Sequence, residues 1–167
     1  MSAEENPSLT PVLRPPATSV AQAAAKLGLG GAAVGLTLAL AVIVMDHQRA
    51  NSVAPVFALA RNVVLQYQAE SGAWPKDFDV ARPGEQFADY RLTSLTEALD
   101  RCAIPGRWAF VAKAAGGAPA IVFTPAEPGA GVRRTLGVVD GWIDDGDEDA
   151  GEMRVGPAGA SLTLKAE

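Results

Sequence analysis

An uncharged stretch of nineteen residues, from Leu27 to Met45, constrains this chain more than any other feature. As an α-helix it would be about 28 Å long, which is close to the roughly 30 Å thickness of a bilayer core. The sequence therefore predicts a transmembrane helix over residues 26–45. Residues 1–25 are rich in Pro, Ser, Thr and Ala and are predicted to form a flexible tail. The 122 residues from Asp46 onward are enough for one modest domain, residues 46–167.

The charge balance limits the classes of partner. The chain has 14 basic and 19 acidic residues, a net charge of −5 and no basic stretch with interleaved aromatic residues, so nucleic acid is a poor partner. Its single cysteine, Cys102, excludes an intrachain disulfide.

Arg14 and Lys26 before the predicted span are matched by Arg49 and Arg61 after it, so basic residues do not determine the orientation of the helix in the membrane. We expect a cytoplasmic N-terminus, because a short tail inside and a folded domain outside is the economical arrangement for such an anchor.

Small residues recur at a spacing of four within the predicted span. Gly31 and Gly35 form a GxxxG pair, and Gly28 lies on a second ridge with Ala24 and Ala32. Such ridges let helix backbones approach closely, so we predict helix association through Gly28, Gly31 and Gly35. The alternative is that Gly and Ala are simply common in membrane spans.

Apolar residues then recur at spacings of four, three, four and three, which places them on one face of a helix. They are Val53, Phe57, Ala60, Val64 and Tyr67. This face predicts a helix that packs on a core and ends at Ser71 and Gly72. Pro55 allows either one kinked helix from about residue 20 to 71 or a second helix that starts near the proline.

The second half of the chain has short β-prone runs separated by turn residues. We predict antiparallel strands over residues 107–113, 120–124, 135–139 and 161–165. Residues 73–91 are predicted to be a loop that packs through its aromatic side chains. Ser94 and Glu97 have the spacing of a capping box for a short helix that ends at Arg101.

Helix first and sheet afterwards is typical of the α+β class. The predicted fold is an N-terminal transmembrane helix that continues into a long amphipathic helix, which packs on a small antiparallel β-sheet.

The segment VVLQYQAESGAWP at the end of the amphipathic helix resembles the helix exit of type IV pilins and type II secretion pseudopilins. A Tyr, a Gly, an aromatic residue and a Pro mark that exit, and here they match Tyr67, Gly72, Trp74 and Pro75. The resemblance implies a pilin-like fold, a bacterial inner-membrane location with the C-terminal domain in the periplasm, and partners that are protein subunits of a pilus or secretion assembly. The span contains no Glu and no Gly-Phe or Gly-Met pair, so the prepilin cleavage motif is missing. The resemblance therefore implies a pilin-like domain on an uncleaved anchor.

An acidic run from Asp140 to Glu152 contains seven carboxylates in thirteen residues and no basic residue. Asp144, Asp145, Asp147 and Asp149 alternate with Gly146 and offer the hard oxygen ligands that calcium prefers. They are the candidate calcium ligands, and major pseudopilins also carry an acidic, Gly-rich calcium loop near the C-terminus. The EF-hand pattern does not fit this run, and the alternative is a solvated acidic loop.

The sequence offers little for catalysis. His47 is the only histidine and lies at the predicted membrane edge. The sequence contains no GxSxG motif, and no predicted strand is followed by a glycine loop that could bind phosphate. We expect no enzyme and no cofactor other than calcium. The leading hypothesis is a structural or assembly component of a pilus-like or type II secretion-like system. The alternative is a membrane-tethered module that binds calcium or another ligand and forms no filament.

Overall fold

Helix α1 runs from Val20 to Ser71 and contains 52 residues. The computed structural model describes residues 20–114 and 117–165, with side chains described from Gly31 onward except that of Ala33. The first nineteen residues of the predicted flexible tail lie outside this description, and its last six residues, 20–25, belong to helix α1 instead of a tail. The chain divides into two units, residues 1–40 and residues 41–167.

In the first unit the described large apolar side chains of α1, from Val34 to Leu40, are exposed. The exposed fractions are 61% for Val34, 64% for Leu36, 63% for Leu38 and 53% for Leu40. Within the described residues, no helix combines the length and the apolar composition that crossing a membrane requires. The transmembrane helix over residues 26–45 stays a prediction, and the side chains of its first five residues are not among those described.

In the second unit α1 buries one face against a β-sheet. The ring of Phe57 packs edge-on against Trp108, with centroids 4.7 Å apart. The predicted core-facing stripe is confirmed, with Tyr67 half-buried at its end. The buried residues of this face are Ala50, Val53, Val56, Phe57, Ala60 and Val64.

Helix α1 is not broken at Pro55, which lies inside it and is exposed. A proline has no N–H to donate to the preceding turn, and on an exposed face water can satisfy the carbonyl left over. The helix ends where it was predicted to end. Gly72 adopts φ 71° and its N–H donates to the carbonyl of Gln68 at 2.9 Å, which is a left-handed cap that favours glycine.

Five antiparallel strands form one sheet in the order β1-β2-β3-β5-β4. The strands are β1 (Phe78–Asp79), β2 (Gly106–Val111), β3 (Ala120–Pro125), β4 (Met153–Gly156) and β5 (Gly159–Thr163). Predicted strands matched β2, β3 and β5, whereas β1 and β4 were not predicted. The predicted loop over residues 73–91 contains β1 and a short 3₁₀ turn, Glu85–Phe87.

The register of the sheet explains how its core is built. Directly paired residues share a face of a sheet. One row crosses all five strands and is Phe78, Phe110, Ile121, Leu162 and Met153. All but Phe78 are fully buried, and this row belongs to the same apolar cluster as the buried face of α1. The prediction of an α+β fold with a long helix on a small antiparallel sheet is confirmed for the second unit.

The prediction of a strand over residues 135–139 is wrong. This segment lies inside helix α3, Ala130–Ile143. The run TLGVV has β-prone residues, but its apolar neighbours extend the pattern to a helical one. Val132, Leu136, Val139 and Ile143 are spaced by four, three and four residues, and all contact or belong to the core cluster.

The prediction of a short helix is confirmed by α2, Thr93–Asp100, but the helix begins before the predicted cap residue, Ser94. Ser94 is its second residue instead of its cap, and the cap position is Leu92, which makes no side-chain capping bond. The predicted capping box is therefore wrong. Leu95 is the buried residue of α2 and fixes the helix to the core.

A buried carboxylate ties α3 to α1. Asp46 is 5% exposed. Arg134 Nε donates to its Oδ2 at 3.0 Å, and the Thr135 hydroxyl shares its one proton between Oδ1 of Asp46 at 3.2 Å and the carbonyl oxygen of Gly131 at 3.1 Å. Both donors lie on α3, so this polar contact fixes the helix that carries the acidic segment.

Candidate functional site

Asp140 lies in the last turn of α3 and is fully buried, with 0% of its surface exposed. It follows Leu136 by four positions and Val139 by one, which places it on the core-facing side of the helix. Neither of its carboxylate oxygens has a hydrogen-bond partner in the described part of the chain. A buried polar group without a partner is rare, because it loses its hydration and gains nothing in return.

The surroundings of Asp140 oppose its ionisation. Burial, followed by the negative charges of Asp144 and Asp145, raises the pKa of the Asp140 carboxyl to about 6. At neutral pH the group is still mainly ionised. The folded protein then holds a buried negative charge among other negative charges.

Asp144 and Asp145 complete a group of three carboxylates with Asp140. One carboxylate oxygen from each residue lies within 4.8 Å of one from each of the other two. Asp144 is the residue that ends α3, and its N–H donates to the carbonyl of Asp140 at 2.8 Å. Asp140 is buried, Asp144 is half-buried and Asp145 is exposed, so the group leads from the core to the surface.

The loop after α3 folds back onto this group. Asp144 Oδ2 accepts bonds from the N–H of Glu152 and, at 2.9 Å, from the N–H of Met153, the first residue of β4. Asp145 Oδ1 accepts from the N–H of Asp147 at 2.9 Å. Each of these two carboxylates thus uses one oxygen to hold the loop, and its second oxygen makes no hydrogen bond that we observe among the described residues.

Gly151 allows the loop to pass close to the carboxylates. Its φ is 69°, a conformation that favours glycine, and an added Cβ would lie 2.9 Å from Cγ of Asp144 and 3.0 Å from Oδ1 of Asp145. Any side chain at position 151 would displace the carboxylate group.

Three basic residues near the loop pair with glutamates and not with the three aspartates, and a fourth, Arg154, donates to the backbone carbonyl of Asp149. Arg133 contacts Glu148 at 2.8 Å, while Lys165 and Arg61 contact Glu152 at 3.1 and 3.8 Å. Among the described residues, none of Asp140, Asp144 and Asp145 takes part in an ion pair. The group therefore has a formal charge of −3, and no ion pair among the described residues offsets it.

The four predicted calcium ligands fall into two sets. The structure brings Asp144 and Asp145 together, whereas Asp147 and Asp149 lie outside the group of three. Asp147 Oδ1 accepts from the N–H of Asp149 at 3.1 Å and so shapes the loop, and both residues are exposed. That these four residues bind calcium stays a prediction.

Asp140 is the residue of the group that sequence reasoning missed. The spacing of four between Asp140 and Asp144 was a usable signal, because it places both residues on one face of a helix. The incorrect prediction of a strand over residues 135–139 prevented this inference, because an extended strand separates Asp140 and Asp144 along its length.

The residues predicted for helix association lie in α1. Gly31 and Gly35 have no atom within 4 Å of an added Cβ among the described residues, so their surroundings have room for another helix. Gly28 is also in α1, but its surroundings are not among the features described. That these glycines mediate association stays a prediction.

His47 lies beside an exposed aromatic side chain. The ring of Trp142, which is 46% exposed, is edge-on to the imidazole with centroids 5.9 Å apart. His47 Nδ1 is 3.0 Å from the carbonyl oxygen of Ile43 on the preceding turn. Neither of these two contacts brings a titratable group to His47.

No protein-family model, no curated protein and no solved structure matches this chain.

Proposed function

We propose that this chain is a single-pass membrane protein whose α+β domain serves as a structural or assembly component of a pilus-like or type II secretion-like system, and not as an enzyme. The observation that carries the proposal is the apolar surface of α1 between Val34 and Met45. Eight large apolar side chains there are 41% to 64% exposed. They are Val34, Leu36, Leu38, Leu40, Val42, Ile43, Val44 and Met45.

The distribution of these residues supports an apolar environment on all sides of the helix. At about 100° per residue, four consecutive positions from Val42 to Met45 cover most of the helix circumference. A helix that rests on one protein surface needs only a one-sided stripe, like the stripe that α1 has between Ala50 and Val64. A bilayer, supplemented by neighbouring helices, covers all sides.

Aromatic residues at the end of this segment support a membrane boundary. Trp142 contacts His47, which follows Met45, the last residue of the apolar stretch, by two positions. Trp is enriched at membrane–water interfaces, where its ring meets the headgroups. We place the boundary of the bilayer at this level, with residues 27–45 in the membrane, the N-terminus in the cytoplasm and the domain in the periplasm of a bacterial cell.

The helix exit supports the pilin-like part of the proposal. Tyr67 packs on Phe87 with ring centroids 5.2 Å apart, Gly72 caps α1, and Trp74 stacks near Phe110 at 6.5 Å. The residues that carry the resemblance to pilins thus anchor the end of α1 to the domain.

Membrane fractionation tests the anchor. The full chain, expressed in a bacterium, should remain in the membrane pellet after an alkaline carbonate wash. The double variant Leu38→Asp with Val42→Asp should move to the soluble fraction, because a charge near the helix centre, as at Leu38, costs roughly 2.5 to 3.5 kcal/mol on insertion, and the charge at Val42, nearer the boundary, adds a smaller cost. Leu38→Ile with Val42→Ile is the matched control and should behave as the natural chain. A natural chain that is washed off as readily as the Asp variant would contradict the anchor.

Cysteine crosslinking in the membrane tests assembly. In a Cys102→Ser background, Gly35→Cys should form a disulfide-linked dimer or one defined heteromeric adduct. Leu40→Cys lies about 140° away around the helix and should form much less. A chain that is anchored but stays monomeric at both positions would refute assembly through this face and would favour the tethered, ligand-binding module.

A further inference from the structure

The geometry points to a binding site for a hard divalent cation at Asp140, Asp144 and Asp145, with the buried carboxylate of Asp140 as its inner ligand. This site differs from the set of four loop aspartates that the sequence predicts, and it does not depend on the proposed membrane assembly.

Asp140 is buried and, in the part of the chain that the structure describes, lacks the partner that a buried charge requires. Acidic side chains that cluster at a protein surface are ordinarily hydrated, but Asp140 is fully buried and has no hydrogen-bond partner for either oxygen among the described residues. Buried charges are normally paired with another charge or coordinate a metal. Asp46, the other buried aspartate, follows this rule through Arg134, whereas no basic side chain of the described residues forms an ion pair with Asp140.

The carboxylate oxygens of the three aspartates lie close to one another. Two oxygens bound to one calcium ion at 2.3 to 2.6 Å are up to about 5 Å apart. The three carboxylate oxygens, all within 4.8 Å of one another, stay inside this limit. Asp144 and Asp145 each commit one oxygen to the loop backbone and retain the other. Asp145 is exposed, which leaves the ion accessible to water for its remaining ligands.

The three candidate ligands are of the type that hard cations prefer. All three ligands are carboxylates, and His47 and Cys102, the residues that would favour zinc or copper, are not in the group. A dication would reduce the formal charge of the group from −3 to −1. It would also join the end of α3 to the loop that leads into β4.

Isothermal titration of the full chain in detergent micelles tests the site. After treatment with EDTA and its removal, calcium chloride should bind with a stoichiometry of one and a dissociation constant below about 1 mM, and magnesium chloride is titrated in parallel. Asp140→Asn should weaken the binding at least tenfold. Asp145→Asn should also weaken it at least tenfold, and because Asp145 is exposed this second variant keeps the native fold even if Asp140→Asn does not.

Asp149→Asn is the matched control, because it removes one carboxylate of the same loop that lies outside the group. Asp147→Asn retains the side-chain oxygen that shapes the loop and removes only the charge. Both variants should bind within about twofold of the natural chain. Absence of binding for both cations at 1 mM, or a loss in Asp147→Asn or Asp149→Asn as large as that in Asp140→Asn, would overturn the inference.

Discussion

The two buried aspartates of this protein lie in opposite electrostatic situations. Asp46 on α1 is 5% exposed and receives one bond from the guanidinium of Arg134 and one from the hydroxyl of Thr135. Asp140 on α3 is 0% exposed, receives no hydrogen bond among the described residues and faces two further carboxylates. A buried carboxylate is tolerated where hydrogen-bond donors replace the lost water, and it destabilises the folded protein where they do not. Substitutions of the two residues should therefore change stability in opposite directions.

The largest effect is expected at the paired aspartate. Asp46→Ala removes the acceptor of Arg134 Nε, leaves the Thr135 hydroxyl with only the carbonyl of Gly131 at 3.1 Å, and opens space between α1 and α3, so it should lower the free energy of unfolding by about 2 to 3 kcal/mol. Urea unfolding of the full chain in micelles, followed by Trp fluorescence, measures this change, since Trp108 is buried in the core. Asp46→Asn keeps an acceptor for Thr135 and should lose less. Equal losses in both variants would show that charge, and not packing or hydrogen bonding, dominates at this position.

The unpaired aspartate should show the opposite sign. In the absence of divalent cations at pH 7.5, Asp140→Asn removes a buried, uncompensated charge of nearly the same shape. It should raise the free energy of unfolding by about 1 to 2 kcal/mol. The same urea experiment in EDTA measures it, with Asp149→Asn as the exposed control that should change stability by less than about 0.5 kcal/mol. A destabilised Asp140→Asn protein would mean that the carboxylate is compensated in the folded state after all.

The advantage of Asp140→Asn should depend on pH. The pKa of Asp140 is raised in the folded protein from 3.8 to about 6 by burial and by neighbouring carboxylates, so between these values the folded state keeps a proton that the unfolded chain releases. The natural chain should therefore lose stability relative to Asp140→Asn as the pH rises from about 4 to about 6, and the difference should be constant above that. Unfolding midpoints of both proteins between pH 4 and pH 8 in EDTA measure the difference. A difference that is unchanged across this range would exclude a raised pKa at this carboxyl.

The smallest effect is expected at the hydroxyl that supports Asp46. Thr135→Val keeps the shape of a buried side chain but removes the donor at 3.2 Å from Asp46, so it should lower the free energy of unfolding by about 1 kcal/mol. Guanidinium Nε of Arg134 still holds the carboxylate in this variant. A loss as large as that of Asp46→Ala would assign most of the stabilisation of Asp46 to Thr135 and little to Arg134.

Local patterns determined much of the fold in advance. Apolar spacing located the buried face of α1, and the residues Gly72 and Ser71 located its end, because helix periodicity and a left-handed cap are properties of neighbouring residues. Runs of β-branched and aromatic residues located β2, β3 and β5 in the same way. The two-residue strand β1 and the short strand β4 were not found, since their pairing partners, and not their own residues, make them strands.

Helix α3 shows where local preference failed. The β-prone run over residues 135–139 becomes helical because Val132, Leu136, Val139 and Ile143 then face the core together. That choice also decides the candidate site. Only on a helix do Asp140 and Asp144 lie one turn apart, and only the packing of α3 buries Asp140.

By itself, the sequence determined that this protein has an apolar helical segment, an amphipathic helix that rests on an antiparallel sheet, and a concentrated negative charge between Asp140 and Glu152. These are properties of composition and spacing along the chain. Tertiary structure alone decided which carboxylates meet, and which of them are neutralised. Burial and ion pairing depend on residues far apart in sequence, as Asp46 with Arg134 and Glu152 with Arg61 show, and the same packing left Asp140 without a partner.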